Sequence, residues 1–298
     1  MNKISWNDSI WFSDIDDTLI DTAGTTAEAS EGIKRVFAAR FDEEVGKKIQ
    51  DEFNDIFQTM IAGLRNKTDE EWAKSEIKKE AFESLWKQVE GYQLEIKEKY
   101  GAVKKFSREV FIKICADRVS VTVAPEIIYE AADAYWLTLS EKTKVFPGVL
   151  ELIKEIKKHG RPLYLVTSSD ARLKLKPNGQ FEYIPQYSED FKRERIQLLR
   201  EKGIDFNVVS IGDPEDKPHL DFFEKGIKAA EADLGKPIDL SHAIVMGDSY
   251  GADLQTPKEQ MGFGAVILFQ HGKEDTGVVD EHQITTGNIF HSIEYLVQ

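Results

Sequence analysis

Near its N-terminus the chain reads IWFSDIDDTL from Ile10 to Leu19, an apolar run that ends in a cluster of aspartates. A short apolar run bounded by polar residues is typical of a buried strand. Asp14 and Asp16 lie two positions apart, and side chains at that spacing leave an extended segment on the same face. Adjacent carboxylates repel each other unless a cation or a proton lies between them. This stretch therefore predicts a buried strand that ends in a charged site.

Patterns typical of helices and strands alternate in the second half of the chain. Strands are predicted over residues 162–166, 206–211, 243–247 and 265–269, and helices over 149–159, 189–202 and 219–234. Strands that alternate with helices indicate a parallel sheet covered on both faces, so we expect an α/β fold. Two polar segments, residues 170–188 and 272–287, are expected to be irregular loops.

Residues 22–144 follow a different pattern. This stretch is rich in Glu, Lys, Ala and long apolar residues, which recur at helical spacing from Ile77 to Val89 and from Ile127 to Leu139. The pattern predicts four or five helices with no strand between them. We therefore expect an α/β core formed by residues 1–21 and 145–298, interrupted by an all-helical insert over residues 22–144.

Polar side chains follow the predicted strands at the points where the strands end. In a parallel α/β sheet, ligands bind beyond the carboxyl ends of the strands. The first strand is followed by Asp14 and Asp16. The later strands are followed by Thr167, Ser168, Lys217, Asp248 and Asp253. We therefore expect acidic residues, a hydroxyl group and a lysine to converge on one site.

These residue types favour phosphoryl transfer assisted by a metal ion. Carboxylates at this density suit Mg²⁺, which favours carboxylate, water and phosphate oxygens as ligands. One carboxylate could act as a nucleophile and form an aspartyl-phosphate, while another transfers a proton as general acid and then as base. Mg²⁺ and a lysine would offset the charge of the transferring phosphoryl group, and a threonine hydroxyl could donate to one of its oxygens.

Each of these residues also has a simpler interpretation. The aspartates from Asp14 to Asp17 could form only a polar turn at the end of a strand. Thr167 could donate to nearby backbone, and Lys217 could be a solvated surface lysine. Asp17 is expected to be structural or solvating, because its side chain points away from the face that Asp14 and Asp16 share. The functional interpretation depends on these residues lying together.

As a set, these segments resemble the motifs of the haloacid dehalogenase superfamily. The segment from Asp14 to Leu19 is similar to its first motif, DxDx[TV], and Thr167 after an apolar strand is similar to the second. Lys217 followed by proline resembles the third motif, and the segment from Gly247 to Asp253 resembles the fourth. The resemblance covers nearly the whole chain. It implies a Rossmann-like parallel sheet core with an inserted all-helical cap.

The resemblance also implies a role for each matching residue. Asp14 would be the nucleophile and a ligand of Mg²⁺, and Asp16 the general acid/base, with its backbone carbonyl on the metal. Asp248 would complete the metal site, with Asp253 as a further ligand or as the partner of one.

The phosphoryl group would be held by Thr167, Ser168 and Lys217. The lysine segment departs from the Lys-Pro-x-Pro pattern that is common in the family, because Leu220 stands at its last position. Lys192 therefore remains an alternative to Lys217.

Asp16 decides between activities within the superfamily. Dehalogenases of the superfamily lack the second aspartate, whereas phosphatases use it to protonate the leaving alkoxide. The resemblance thus implies a Mg²⁺-dependent phosphatase acting on a small phosphomonoester, a nucleoside monophosphate or a sugar phosphate. A phosphomutase would share every motif residue, and a non-catalytic binding protein on this fold is a third possibility.

Composition limits the partners and the location. The chain has 298 residues, with 39 Lys and Arg against 53 Asp and Glu, and a formal charge of −14. This charge argues against binding a nucleic acid polymer through its phosphates. The sequence has no apolar run near the roughly 18 residues that a membrane span needs, and no recognisable signal peptide. Cys115 is the only cysteine, so no intramolecular disulfide can form. We expect a cytoplasmic protein, whose oligomeric state the sequence does not indicate.

Overall fold

The computed structural model describes residues 3–66, 68–168, 170–212 and 216–298. The chain divides into two compact units. One, here called the core unit, comprises Met1–Gly24, Thr143–Ser169 and Lys192–Gln298. The other, the helical unit, comprises Thr25–Lys142 and Asp170–Phe191.

The described residues form nine strands. These are β1 (Ile10–Ser13), β2 (Leu163–Ser168), β3 (Leu173–Leu175), β4 (Phe181–Tyr183), β5 (Val209–Gly212), β6 (Ala243–Gly247), β7 (Ala265–Phe269), β8 (Gly277–Val278) and β9 (Gln283–Thr286). Seven of them form one sheet in the order β5-β2-β1-β6-β7-β9-β8. All pairs in this sheet are parallel except β8 with β9. The core unit therefore has the expected α/β fold with a Rossmann-like parallel sheet.

The central strands β1, β2, β6 and β7 are buried on both faces, which is why they are nearly continuous apolar runs. All residues of β1 and β6 are buried. On one face Trp11 of β1 clusters with Leu152 of the helix that precedes β2. On the other face Phe12 clusters with Phe222 of the helix that precedes β6. Alternate residues of one strand thus hold one layer of helices on each side of the sheet.

The described residues also form eleven α-helices. These are α1 (Thr26–Arg40), α2 (Glu43–Arg65), α3 (Asp69–Lys74), α4 (Lys79–Gly91), α5 (Leu94–Tyr100), α6 (Arg108–Arg118), α7 (Pro125–Lys142), α8 (Val149–Lys158), α9 (Pro185–Glu201), α10 (Leu220–Leu234) and α11 (Ile293–Leu296). Within the described chain, no helix combines the length and the hydrophobicity that a membrane crossing needs.

The helical unit holds seven helices before β2, where four or five were expected. The additional helices are short, since α3 has 6 residues and α5 has 7. In the longer helices, the buried apolar residues recur at the predicted helical spacing. In α2 the apolar side chains of Ile49, Phe53, Ile56 and Met60 are buried along one face. Asp42 caps this helix by accepting from the Val45 N–H at 2.8 Å.

Two segments expected to be irregular loops contain strands. Residues 170–188 hold β3 and β4, which pair antiparallel with Leu173 opposite Tyr183 and belong to the helical unit, not to the sheet core. The same segment contains the start of α9, where the helix had been expected from residue 189. Residues 272–287 hold β9, which extends the main sheet beside β7. The strand expected over 206–211 runs instead over Val209–Gly212.

Candidate active site

Asp14 is fixed at the carboxyl edge of the sheet. Its backbone N–H donates to the Met246 carbonyl at 2.9 Å, which continues the pairing of β1 with β6 beyond the last strand residue. The Ser13 hydroxyl donates to the Asp14 carbonyl at 2.6 Å. The Asp14 side chain is buried. The backbone therefore holds this carboxylate where neighbouring strands end.

Three carboxylates meet at this edge. Oxygen atoms of Asp14, Asp248 and Asp253 all lie within 4.8 Å of one another. The Lys217 ammonium donates to Asp14 Oδ1 at 2.5 Å and to Asp253 Oδ1 at 2.7 Å. Asp14, Asp253 and Lys217 have buried side chains, whereas Asp248 is exposed. The structure thus brings together four of the residues that the sequence singled out.

Asp253 reaches the cluster because the chain after β6 makes an unusually wide turn. Tyr250–Leu254 forms a short π-helix, a conformation that is frequent at functional sites. Asp253 Oδ2 accepts from the Ser249 N–H at 3.0 Å. A Cβ atom on Gly247 would lie only 2.3 Å from the Asp253 Cβ. Gly247 is therefore needed for the close approach of Asp253 to the end of β6.

Burial and electrostatic repulsion among the three carboxylates raise the pKa values of Asp14 and Asp248. Burial, together with Asp253 and Asp16, raises the pKa of Asp14 to about 7, against the opposing effect of Lys217. Desolvation and the charges of Asp14 and Asp253 raise the pKa of Asp248 to about 8. Burial would lower the pKa of Lys217, but Asp14 and Asp253 outweigh it and raise that pKa. One lysine therefore does not neutralise the three carboxylates.

A divalent cation fits this donor set. Carboxylate oxygens are hard ligands of the kind that Mg²⁺ and Ca²⁺ prefer. A cation among them would relieve the repulsion that raises the pKa values of Asp14 and Asp248. Among the described residues, Asp14, Asp248 and Asp253 thus form a group of side chains that could hold a metal ion.

Asp16 faces a different set of partners. Its Oδ2 accepts from the Lys192 ammonium at 2.9 Å, and its Oδ1 accepts from Arg195 Nη2 at 2.5 Å. The Thr22 hydroxyl also donates to Oδ1, at 2.7 Å. Burial would raise the pKa of Asp16, but Arg195 and Lys192 outweigh it and hold that pKa well below its ordinary value. In this arrangement Asp16 is ionised.

Asp17 shapes the turn that follows Asp16. Its φ of 61° lies in the left-handed region, which is uncommon for residues other than glycine. Its Oδ1 accepts from the Ala23 N–H at 2.7 Å, which secures the turn. Next to it, the buried Thr18 hydroxyl lies 3.5 Å from Asp14 Oδ2. Asp17 does not belong to the group of three carboxylates.

Thr167 and Ser168 lie at the carboxyl end of β2, beside β1. Leu165 pairs with Ser13, so Thr167 lies two residues further along, at the edge that carries Asp14. The Thr167 hydroxyl is buried and donates to the Ser168 carbonyl at 3.3 Å. In the part of the chain that the structure describes, no hydrogen bond joins Thr167 to the three carboxylates.

A family model decides the classification of the chain. The model describes haloacid dehalogenase-like hydrolases, and it matches residues 12–259. The chain belongs to the haloacid dehalogenase-like hydrolases. The match begins within β1 and ends between β6 and β7.

Solved structures share the fold of this haloacid dehalogenase-like hydrolase. A candidate hydrolase of the superfamily from Bacillus subtilis, YfnB, solved bound to magnesium, has 11% identity, covers 99% of both chains and gives a TM-score of 0.50. A candidate beta-phosphoglucomutase from Thermotoga maritima has 15% identity, covers 96% of this chain and 99% of its own, and gives 0.53. A 2-haloacid dehalogenase from Pseudomonas syringae pv. Tomato has 14% identity, covers 96% of both chains and gives 0.51. No curated protein matches the sequence.

Sequence reasoning about this hydrolase missed several residues of the site. Arg195 and Thr22 were not singled out, and Lys192 was considered only as an alternative phosphate ligand. The spacing of Lys192 and Arg195, three positions apart on α9, is a signal that could have placed both on one helix face. Gly247 was quoted in a motif without its role, because the close approach of Asp253 depends on the wide turn.

Proposed function

We propose that the protein is a Mg²⁺-dependent phosphatase that hydrolyses a small phosphomonoester, a nucleoside monophosphate or a sugar phosphate, through an aspartyl-phosphate. The observation that carries this proposal is the contact of Lys217 with both Asp14 and Asp253 beside Asp248. Family membership supports a hydrolase. The second aspartate, Asp16, favours a phosphatase over a dehalogenase because a leaving alkoxide needs a proton and a leaving halide does not.

In the first step a carboxylate oxygen of Asp14 attacks phosphorus, and the bond to the leaving oxygen breaks. The product is an acyl phosphate on Asp14 and an alcohol that takes a proton from Asp16. Lys217 lies against the attacking carboxylate and offsets the charge on the phosphoryl oxygens. Thr167 and Ser168, at the end of β2, would donate to the same oxygens.

In the second step water attacks the phosphorus of the acyl phosphate and gives up a proton to Asp16. The bond between phosphorus and the Asp14 oxygen breaks, which releases inorganic phosphate and restores the Asp14 carboxylate. The ion pairs of Asp16 with Lys192 and Arg195 keep it ionised, which suits this step as a base. The first step requires the protonated form. Asp16 therefore has to leave these two partners before it protonates the leaving oxygen.

A metal ion would be held by Asp14, Asp248 and Asp253, and by the backbone carbonyl of Asp16. Bound there, Mg²⁺ would lower the pKa of the nucleophile and neutralise charge on the phosphoryl group. With a pKa of about 7, Asp14 alone is only partly ionised near neutral pH. We further propose that the helical unit serves as the cap that selects the substrate.

The first test is the hydrolysis of p-nitrophenyl phosphate by the purified protein, with Mg²⁺ and then with excess EDTA. We expect activity that requires the metal. Asp14→Asn should lower kcat by about 10³-fold or more, because the nucleophile is lost. The control is Asp8→Asn, which changes an exposed aspartate upstream of β1 and should leave kcat unchanged. Turnover of Asp14→Asn at the wild-type rate would overturn the proposal.

If p-nitrophenyl phosphate is not hydrolysed, a panel of nucleoside monophosphates and sugar phosphates follows. Hydrolysis of one of them, again dependent on Asp14, would support the proposal. Accumulation of a stable phosphoenzyme that needs a bisphosphate for turnover would instead identify a phosphomutase.

A further inference from the structure

A buried arginine in the helical unit lies among aromatic rings. Arg108 is the first residue of α6, and it is 4% exposed. Its guanidinium carbon lies 4.7 Å from the ring centroid of Trp136 and 5.0 Å from those of Phe57 and Tyr135. The rings attract the cation and keep water from it.

Among the residues that the structure describes, most hydrogen-bond donors of this guanidinium have no acceptor. In the described residues, Arg108 Nε and Nη1 are buried without a hydrogen-bond partner, as is the Tyr135 hydroxyl. Nη2 has one contact, with Asp170 Oδ2 at 3.5 Å, which is long for a charged pair. A buried donor without an acceptor costs about 1–3 kcal/mol. Such a set of donors requires an acceptor that the described residues do not supply.

The nearest carboxylates are occupied by other partners. Glu109 accepts from Arg172 Nε and from the Ser107 hydroxyl, the latter at 2.7 Å. Asp133 accepts from Arg172 Nη2 at 2.6 Å. These two acidic groups accept from Arg172 and Ser107, and among the described residues the guanidinium of Arg108 has one hydrogen bond to a carboxylate, the long contact with Asp170.

We propose that Arg108 and the Tyr135 hydroxyl form a binding site for an oxyanion, either a carboxylate or a phosphate group. A guanidinium is charged at every physiological pH, and its planar donors match the oxygens of both groups. Arg108 also begins a helix of 11 residues, where the backbone dipole favours a negative ligand. The proposal does not depend on the phosphatase proposal, because it uses no residue of the core unit.

The test follows the indole N–H of Trp136, whose ring contacts the guanidinium. The protein has five tryptophans, and Trp136→Phe identifies the NMR signal of Trp136 among them. Wild-type protein is titrated with inorganic phosphate and with malonate, in EDTA and at constant ionic strength set with chloride. We expect a saturable shift of this signal with at least one of the two oxyanions.

Two variants test the residues. Arg108→Met should weaken the binding at least tenfold, whereas Arg118→Met, which replaces an exposed arginine at the other end of α6, should leave it unchanged. Should Arg108→Met fail to fold, Tyr135→Phe removes only the hydroxyl and should weaken the binding about threefold. The absence of a saturable shift with both anions would overturn the proposal, as would wild-type affinity in Arg108→Met or, where that variant does not fold, in Tyr135→Phe.

A kinetic measurement then identifies the source of the anion. A KM raised at least tenfold in Arg108→Met, with kcat unchanged, would assign the anion to the substrate itself. An unchanged KM together with weaker binding of free phosphate or malonate would assign the site to a separate small ligand.

Discussion

Replacing Asp248 by asparagine should stabilise the protein without metal and remove its stabilisation by Mg²⁺. Desolvation and the charges of Asp14 and Asp253 raise the pKa of Asp248 from 3.8 to about 8. Between these values the folded protein keeps a proton that the unfolded chain has released. The stability of the metal-free protein therefore falls as the pH rises from about 4 to about 8.

The size of the effect follows from the shift and the exposure of the side chain. Each pKa unit corresponds to about 1.4 kcal/mol, so the shift accumulated by pH 7 corresponds to about 4 kcal/mol at most. Asp248 is exposed, and water screens much of this energy. We expect Asp248→Asn to gain about 1–2 kcal/mol at pH 7–8, or a rise in Tm of about 2–3 °C. At pH 4 the gain should vanish, because the wild-type group is then protonated in the folded state.

Thermal unfolding followed by circular dichroism measures both parts of this prediction. In EDTA at pH 8 the variant should unfold at a higher temperature than the wild type. At a Mg²⁺ concentration of 100 times Kd the wild type should gain about 2.7 kcal/mol, and the variant much less, so the order reverses. Asp275→Asn, at an exposed aspartate outside the cluster, serves as the control and should show neither effect. Equal stabilisation of wild type and Asp248→Asn by Mg²⁺ would refute the reasoning.

Substitutions at Gly247, Asp17 and Lys217, each with a comparison variant, have expected outcomes. Gly247→Ala should lower kcat by about tenfold or more and weaken the response of Tm to Mg²⁺, because the added methyl group displaces the side chain of Asp253. Gly251→Ala, which meets no atom within 4 Å in the same wide turn, should match the wild type in both measurements. Asp17→Ala should lower the free energy of unfolding in urea by about 1–2 kcal/mol, and Asp17→Gly by less, since φ is 61° there; the opposite order would contradict the strain argument. Lys217→Ala should reduce kcat/KM for phosphate esters by about 10²-fold, and a larger loss in Lys192→Ala would assign the phosphoryl group to that lysine.

The sheet could be predicted from the sequence wherever a strand is a continuous apolar run. Residues 243–247 and 265–269 are strands with the expected bounds, because burial on both faces favours such a run. The helices α2 and α7 could be predicted for a similar reason, since their apolar residues recur at helical spacing.

Strands without an apolar run could not be recognised in the same way. In β9 only Ile284 is apolar, although all four residues are buried, and its polar side chains suggested a loop. In β3 and β4 the alternation is only three residues long, as in Phe181–Tyr183. Segments this short owe their conformation to the neighbours they pair with, and the sequence does not identify those neighbours.

Prediction of the site was limited in the same way, because the state of a single residue depends on neighbours that the sequence does not identify. The convergence of Asp14, Lys217, Asp248 and Asp253 was predictable, because parallel strands end at one edge and each residue follows a strand. The protonation state of Asp16 was not predictable, because it depends on Lys192, 176 positions away in the chain. The motif predicts that a second carboxylate stands beside the nucleophile, but α9 supplies the charges that decide whether it carries a proton. The same second aspartate could therefore serve a different proton-transfer step in a protein whose neighbouring helix carries other residues.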